Sequence, residues 1–178
     1  MEMYFIAIVL PAKLNEEVLQ YKRTMLERFN CKVGLKSPAH ITIIPPYWME
    51  KEKEQSLIVD INNLSTTVHS FPITTKDFSA FKPRTIFIDV NRNEKLQEVK
   101  KRADELFSAS YPIKLESRPF YPHITIATRD LYKKAFSEAW TIFEHKKFEE
   151  EWVADGLSVL RHNKKNWDVI HTSQFNNL

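Results

Sequence analysis

The tetrapeptide His-Ile-Thr-Ile occurs twice, at residues 40–43 and 123–126. A shuffled chain of this composition would carry about 0.003 copies, so two at matching places in a repeated element order mark an internal duplication. In the first half, Tyr4–Leu10 is a strand-like run of β-branched and aromatic residues. Asn15 then offers a helix cap, Glu16 and Glu17 suit the positive end of a helix dipole, and Leu14, Val18, Tyr21, Met25 and Phe29 recur at helical spacing. Together they predict a helix over 15–29. A short strand at His40–Ile44 and a helix near 50–65, with Leu57, Ile61 and Leu64 on one face, complete the unit. The second half repeats it. Thr85–Val90 reads as a strand, Asn93 caps a helix carrying Leu96, Val99, Ala103 and Leu106, His123–Ala127 is a short strand, and Asp130 caps a helix with Tyr132, Phe136, Ala139 and Phe143 in line. The order β-α-β-α thus occurs twice, with strand-rich extensions near 71–79 and 148–175, and Asn163-Lys164-Lys165-Asn166 is placed to turn the last pair into a hairpin. Duplication predicts a pseudo-two-fold axis, at which anything present in both halves can converge.

Composition narrows the function classes. With only two glycines, Gly34 and Gly156, the chain has neither a Walker-type phosphate loop nor a Rossmann fingerprint, both of which need several glycines for close backbone approach to phosphate. Any nucleotide chemistry must use side chains. A net charge of +3 tolerates a phosphate-bearing ligand but is too small for a dedicated binder of long duplexes. Cys31 is the lone cysteine, which excludes an internal disulfide or a thiolate-rich metal site. Tyr4–Leu10 is too short to span a membrane and lacks the basic flank of a signal peptide. These features predict a soluble cytoplasmic monomer with no membrane association and no obligate protein partner.

The spacing within each motif carries the chemistry. Strand side chains alternate between faces, so His40 and Thr42 share one face and Ile41 and Ile43 the other; His123 and Thr125 do the same against Ile124 and Ile126. Buried isoleucines would hold each imidazole and hydroxyl rigidly on the opposite face, and Pro38 and Pro122 favour extended chain just upstream. Two facing imidazoles suit displacement at phosphorus: one takes a proton from the attacking oxygen while the other protonates the leaving oxygen. Histidine serves both jobs because its ordinary pKa, about 6.5, lies near working pH. Thr42 and Thr125 can donate to the non-bridging oxygens. The scheme calls for no metal and no cofactor.

The segments Pro-Ala-His-Ile-Thr-Ile and Tyr-Pro-His-Ile-Thr-Ile resemble the two His-x-Thr-x motifs of the two-histidine (2H) phosphoesterase superfamily, which includes RNA 2′,3′-cyclic phosphodiesterases and 2′-5′ RNA ligases. The resemblance extends over nearly the whole chain, through the strands that precede each motif. It implies an α+β fold of duplicated β-α-β-α lobes with antiparallel-rich sheets and a central cleft: a single two-lobed domain over 1–178, lobe one about 1–80 and lobe two about 81–178. It also implies His40 as proton donor and His123 as proton acceptor in hydrolysis of a cyclic or 2′-linked phosphodiester of a nucleotide or RNA end. The alternatives are a non-catalytic nucleotide- or RNA-binding module and a 2′-5′ RNA ligase-like transferase. Where the RNA ligase-like branch continues its first motif as Phe-Leu-Gly, this chain has Ile44-Pro45-Pro46-Tyr47, and Thr128 stands where that branch often has an arginine. The pattern is more similar to the small bacterial phosphoesterases typified by YjcG. Beside the motifs, Tyr47 and Tyr121 are placed to stack on a base, and Arg129 to reach a phosphate.

Overall fold

A computed structural model of the chain describes residues 1–114 and 117–177. Among them are eight strands and four α-helices. In chain order these are β1 (Glu2–Val9), α1 (Ala12–Phe29), β2 (His40–Met49), α2 (Glu54–Ser65), β3 (Phe71–Phe81), β4 (Thr85–Val90), α3 (Glu94–Ser110), β5 (His123–Ala127), α4 (Lys133–Phe143), β6 (Glu151–Ala154), β7 (Gly156–His162) and β8 (Trp167–Gln174). The strands form one antiparallel sheet in the order β6-β3-β4-β5-β2-β1-β7-β8. This is the α+β architecture that the family resemblance implies.

The pseudo-two-fold lies at the β5–β2 seam. On one side β2 pairs with β1, and on the other β5 pairs with β4. Corresponding residues occupy corresponding positions: Val9 lies opposite His40, and Asp89 opposite His123. The sheet does not divide near residue 80, however. β3 pairs with β4 on the second-motif side, whereas β7, from the far end of the chain, pairs with β1 and carries β8 on its outer edge. Each motif strand therefore gains its outer support from the other half of the sequence.

The apolar run at Tyr4–Leu10 has no alternation because β1 is covered on both sides. Tyr4, Ile6 and Ile8 enter the main core, while Phe5 and Ala7 form a smaller cluster with Leu160 on the opposite face. Ile41, Ile43, Ile124 and Ile126 all point into the main core and are essentially inaccessible. Against that core pack Leu14, Val18 and Met25 of α1 and Leu96, Val99, Ala103 and Phe107 of α3.

Two of the three helix caps read from the sequence are used differently. Asn93 does cap α3, its Oδ1 accepting from the Leu96 N–H at 3.0 Å. Asn15 instead lies inside α1, which starts three residues earlier after Pro11, and its Oδ1 accepts from the Ala39 N–H at 2.6 Å. Asp130 lies ahead of α4, and its carboxylate receives the backbone N–H groups of Lys32 and Val33, at the start of the turn Val33–Lys36. In both cases a tertiary donor outcompetes the local one. β2 also runs past Ile44 through Pro45 and Pro46; its register with β1 shifts there, and a bulge accommodates residues that cannot donate to the ladder. The β7–β8 hairpin closes through Asn163, which donates its N–H to the Asn166 carbonyl.

Candidate active site

β2 and β5 are paired only at Ile41 and Ile124. Because the strands are antiparallel, this register sets His40 across from Thr125 and Thr42 across from His123. All four lie on the face opposite the buried isoleucines, and all four are half-buried. Directly opposed residues stand roughly 4.5–5.5 Å apart between Cα atoms. The two histidines lie on the diagonal of this arrangement, near enough for His123 to act on His40 electrostatically. A tetrahedral phosphate fits between side chains reaching inward from such a square. Beside this seam lies a cleft of ≈ 630 Å³ whose lining includes Thr42, Ile43, Pro45, Phe81, Tyr121 and His123, but neither His40 nor Thr125. Lys100 and Asp104 of α3 and the segment Arg118–Phe120 complete its wall.

Both rings are held in the same way. His40 Nδ1 lies 2.7 Å from the Pro38 carbonyl oxygen, and His123 Nδ1 lies 2.7 Å from that of Tyr121, in each case two residues upstream. A carbonyl only accepts, so each Nδ1 carries the proton and leaves Nε2 to exchange protons with a ligand. Aromatic rings fix the planes: Phe5 packs on His40 with centroids 4.9 Å apart, and Phe81 and Phe87 pack on His123 at 5.2 and 5.0 Å.

The electrostatics of the two half-sites differ. Burial pulls the His40 pKa down to about 4; the bond to Pro38 opposes this, while the charges of Lys22 and His123 add to it. The His123 pKa is also lowered, chiefly by burial, but there the Tyr121 carbonyl and the Asp89 carboxylate both work to restore the proton. Asp89 accepts a hydrogen bond from the Tyr121 hydroxyl at 3.1 Å. Lys22 is buried with its Nζ 3.1 Å from the Ser37 carbonyl oxygen, and burial lowers its pKa to about 8.

Of the residues singled out for substrate contact, Tyr121 lines the cleft and is half exposed. Tyr47 does not reach it: it lies on the same strand face as Ile41 and Ile43, opposite Tyr4, and its ring is buried in the main core against Phe107 and Tyr111. Arg129 is exposed on a bend beyond the far end of β5, with a positive φ of 47°, and is not part of the cleft wall. Sequence reasoning does not single out Asp89 or Lys22, though both leave a mark there. Asp89 is a carboxylate inside an apolar strand, and Lys22 occupies a core position of the 14–18–22–25 helical series. Among the described residues, no group of three or more His, Cys, Asp or Glu could hold a metal ion, and no helix is long and apolar enough to cross a membrane.

Two half-buried His-x-Thr strands paired at the centre of a duplicated antiparallel sheet define the class as 2H phosphoesterase-like. The sequence model of the 2′-5′ RNA ligase superfamily matches residues 10–166, and the chain belongs to that family. Among its relatives is "Putative phosphoesterase BH1439" of Halalkalibacterium halodurans, 22% identical over 138 residues that cover 76% of this chain and 78% of the relative. The fold matches TT0787 of Thermus thermophilus with TM-score 0.71 at 16% identity, covering 99% of each chain. It also matches E. coli LigT complexed with 3′-AMP, with TM-score 0.70 at 16% identity, covering 98% of each chain.

Proposed function

We propose that this protein is a metal-independent phosphoesterase that hydrolyses a cyclic or 2′-linked phosphodiester of a nucleotide or RNA end. The observation that carries it is the square formed by His40, Thr42, His123 and Thr125, with both Nδ1 atoms committed to carbonyls and both Nε2 atoms left for chemistry. The phosphodiester would sit between the rings. Nε2 of the neutral ring takes a proton from water as the water oxygen bonds to phosphorus. The bond from phosphorus to the leaving ribose oxygen breaks on the opposite side, and that oxygen takes the proton from Nε2 of the imidazolium. The two rings then hold exchanged protonation states, which solvent resets. Thr42 and Thr125 donate to the non-bridging oxygens as charge develops there. The 3′-AMP complex of E. coli LigT supports a nucleotide-sized occupant for a cleft of this fold.

A panel of 2′,3′-cyclic nucleotides and short RNAs ending in 2′,3′-cyclic phosphate, assayed with wild type, His40→Ala and His123→Ala in the presence of chelator, tests the proposal. Each substitution should cost about 10²–10⁴ in kcat. Equal turnover by all three proteins would overturn it, as would tight binding of the panel with no product. Offering RNA with a 5′-hydroxyl as acceptor in the same assay reveals whether the acceptor replaces water, the outcome expected of a ligase-like transferase.

A further inference from the structure

The cleft beside the seam has two chemically different parts. One is aromatic: Phe81 and Tyr121 line it next to His123, each roughly half exposed, with their rings edge to face at 5.5 Å. The other is a single charged pair. α3 buries Leu96, Val99, Ala103 and Phe107 in the core and presents Lys100 and Asp104, one helical turn apart, to the cleft. Lys100 Nζ donates to Asp104 Oδ1 and lies 5.8 Å from the centroid of the Phe120 ring, so both ends of the pair are held. Their side chains are only 17% and 30% exposed, which withdraws the pair from much of its water. Asp104 Oδ2 accepts no hydrogen bond among the described residues, and no step of the proposed chemistry uses either side chain. The cleft is large enough for a nucleoside, and its wall offers three polar atoms in a fixed order: the Nζ donor, then the Oδ1 and Oδ2 acceptors.

We propose that Lys100 and Asp104 are the specificity-determining pair of this cleft, reading the Watson–Crick edge of a guanine, so that the substrate is a guanosine phosphodiester. This deepens the phosphoesterase proposal and rests on it. Guanine presents O6, N1–H and N2–H side by side, an acceptor followed by two donors, and these meet Nζ, Oδ1 and Oδ2 in order. Oδ1 can receive N1–H while it still holds Lys100, because each carboxylate oxygen accepts twice. Uracil sets O4, N3–H and O2 along the same edge, and its third atom puts one acceptor against another at Oδ2. Adenine and cytosine place an amino group beside a ring nitrogen that only accepts. In one orientation both atoms clash with the pair; in the other they satisfy Nζ and a single carboxylate oxygen. Only guanine completes all three bonds, and leaving a charged acceptor unmet away from water is what makes such a site selective. Phe81 and Tyr121 offer apolar ring faces on which any base can lie, so they add affinity without choosing among bases.

The test measures kcat/KM for the 2′,3′-cyclic phosphates of guanosine, inosine, adenosine, uridine and cytidine, and Kd for the corresponding 2′-monophosphates by calorimetry. Inosine keeps O6 and N1–H but lacks the N2 amino group, so guanosine against inosine isolates the bond to Oδ2. Wild type should favour guanosine over inosine by about tenfold, and over the other three by roughly a hundredfold. Asp104→Asn keeps the shape of the side chain but replaces one acceptor by a donor, and should bring the guanosine-to-inosine ratio close to one. A merely structural role for Asp104 would lower all five nucleosides alike and leave that ratio in place. Should the variant not fold, the wild-type ratio decides by itself. Equal values across the panel, or a guanosine preference that survives in Asp104→Asn, would overturn the inference. The two readings fail separately: guanine-selective binding without turnover upholds the base site and overturns the phosphoesterase proposal, whereas turnover without base preference does the reverse.

Discussion

Acidification should unfold this protein in part through His40, by an amount that the site geometry sets. The ring is held neutral in the folded state with a pKa of about 4, against 6.5 for an ordinary histidine. A base whose folded pKa is depressed binds fewer protons folded than unfolded. Its contribution is therefore fully present above pH 6.5 and is lost as pH falls towards 4. The full loss is about 3 kcal/mol, and roughly 2.5 kcal/mol of it falls between pH 7 and pH 4.5. The perturbation is His40→Gln, which keeps a polar side chain but cannot titrate. Urea unfolding of wild type and variant at pH 7 and pH 4.5 isolates the effect, because the protein's other titrating groups cancel in the comparison. The wild type should lose about 2.5 kcal/mol more than the variant over that interval. Equal losses would refute the view that His40 is held neutral by burial.

Thr42→Val and Thr125→Val should each lower kcat by roughly 10–10³ while the fold, measured by circular dichroism, is kept, since each removes a donor aimed at the transition-state charge; unchanged kcat would remove the threonines from the scheme. Tyr47→Phe should leave KM unchanged and hold or raise the melting temperature, because the buried hydroxyl has no hydrogen-bond partner to lose. A KM raised severalfold would return Tyr47 to the substrate site.

Local rules carry the element order a long way. The strands Thr85–Val90 and His123–Ala127 have the boundaries their β-branched runs suggest, and Asn93 caps α3 because nothing else competes for its Oδ1. The same rules fail at Asn15 and Asp130, whose side chains bind backbone groups 24 and 97–98 residues away. No window on the sequence contains those donors. Alternation within each His-Ile-Thr-Ile segment is enough to put imidazole and hydroxyl on one face, but the pairing of Ile41 with Ile124 is non-local and becomes visible only in the folded sheet. The same holds for the crossing of β3 and β7 to support the opposite half. Tyr47 departs from expectation for a more local reason, since it lies four residues past Ile43 on the same strand face and points inward with it, opposite Tyr4. Lys22 and Asp89 break the apolar pattern of their elements, and such breaks are the mark by which groups tuning a site can be found.

The most direct measurement is a crystal structure with bound 2′-AMP or 3′-AMP. The two-imidazole chemistry predicts one phosphate between the motifs, within hydrogen-bond reach of Nε2 of both His40 and His123 and of the hydroxyls of Thr42 and Thr125. A phosphate that touches only one ring, or that binds elsewhere on the protein, would contradict it.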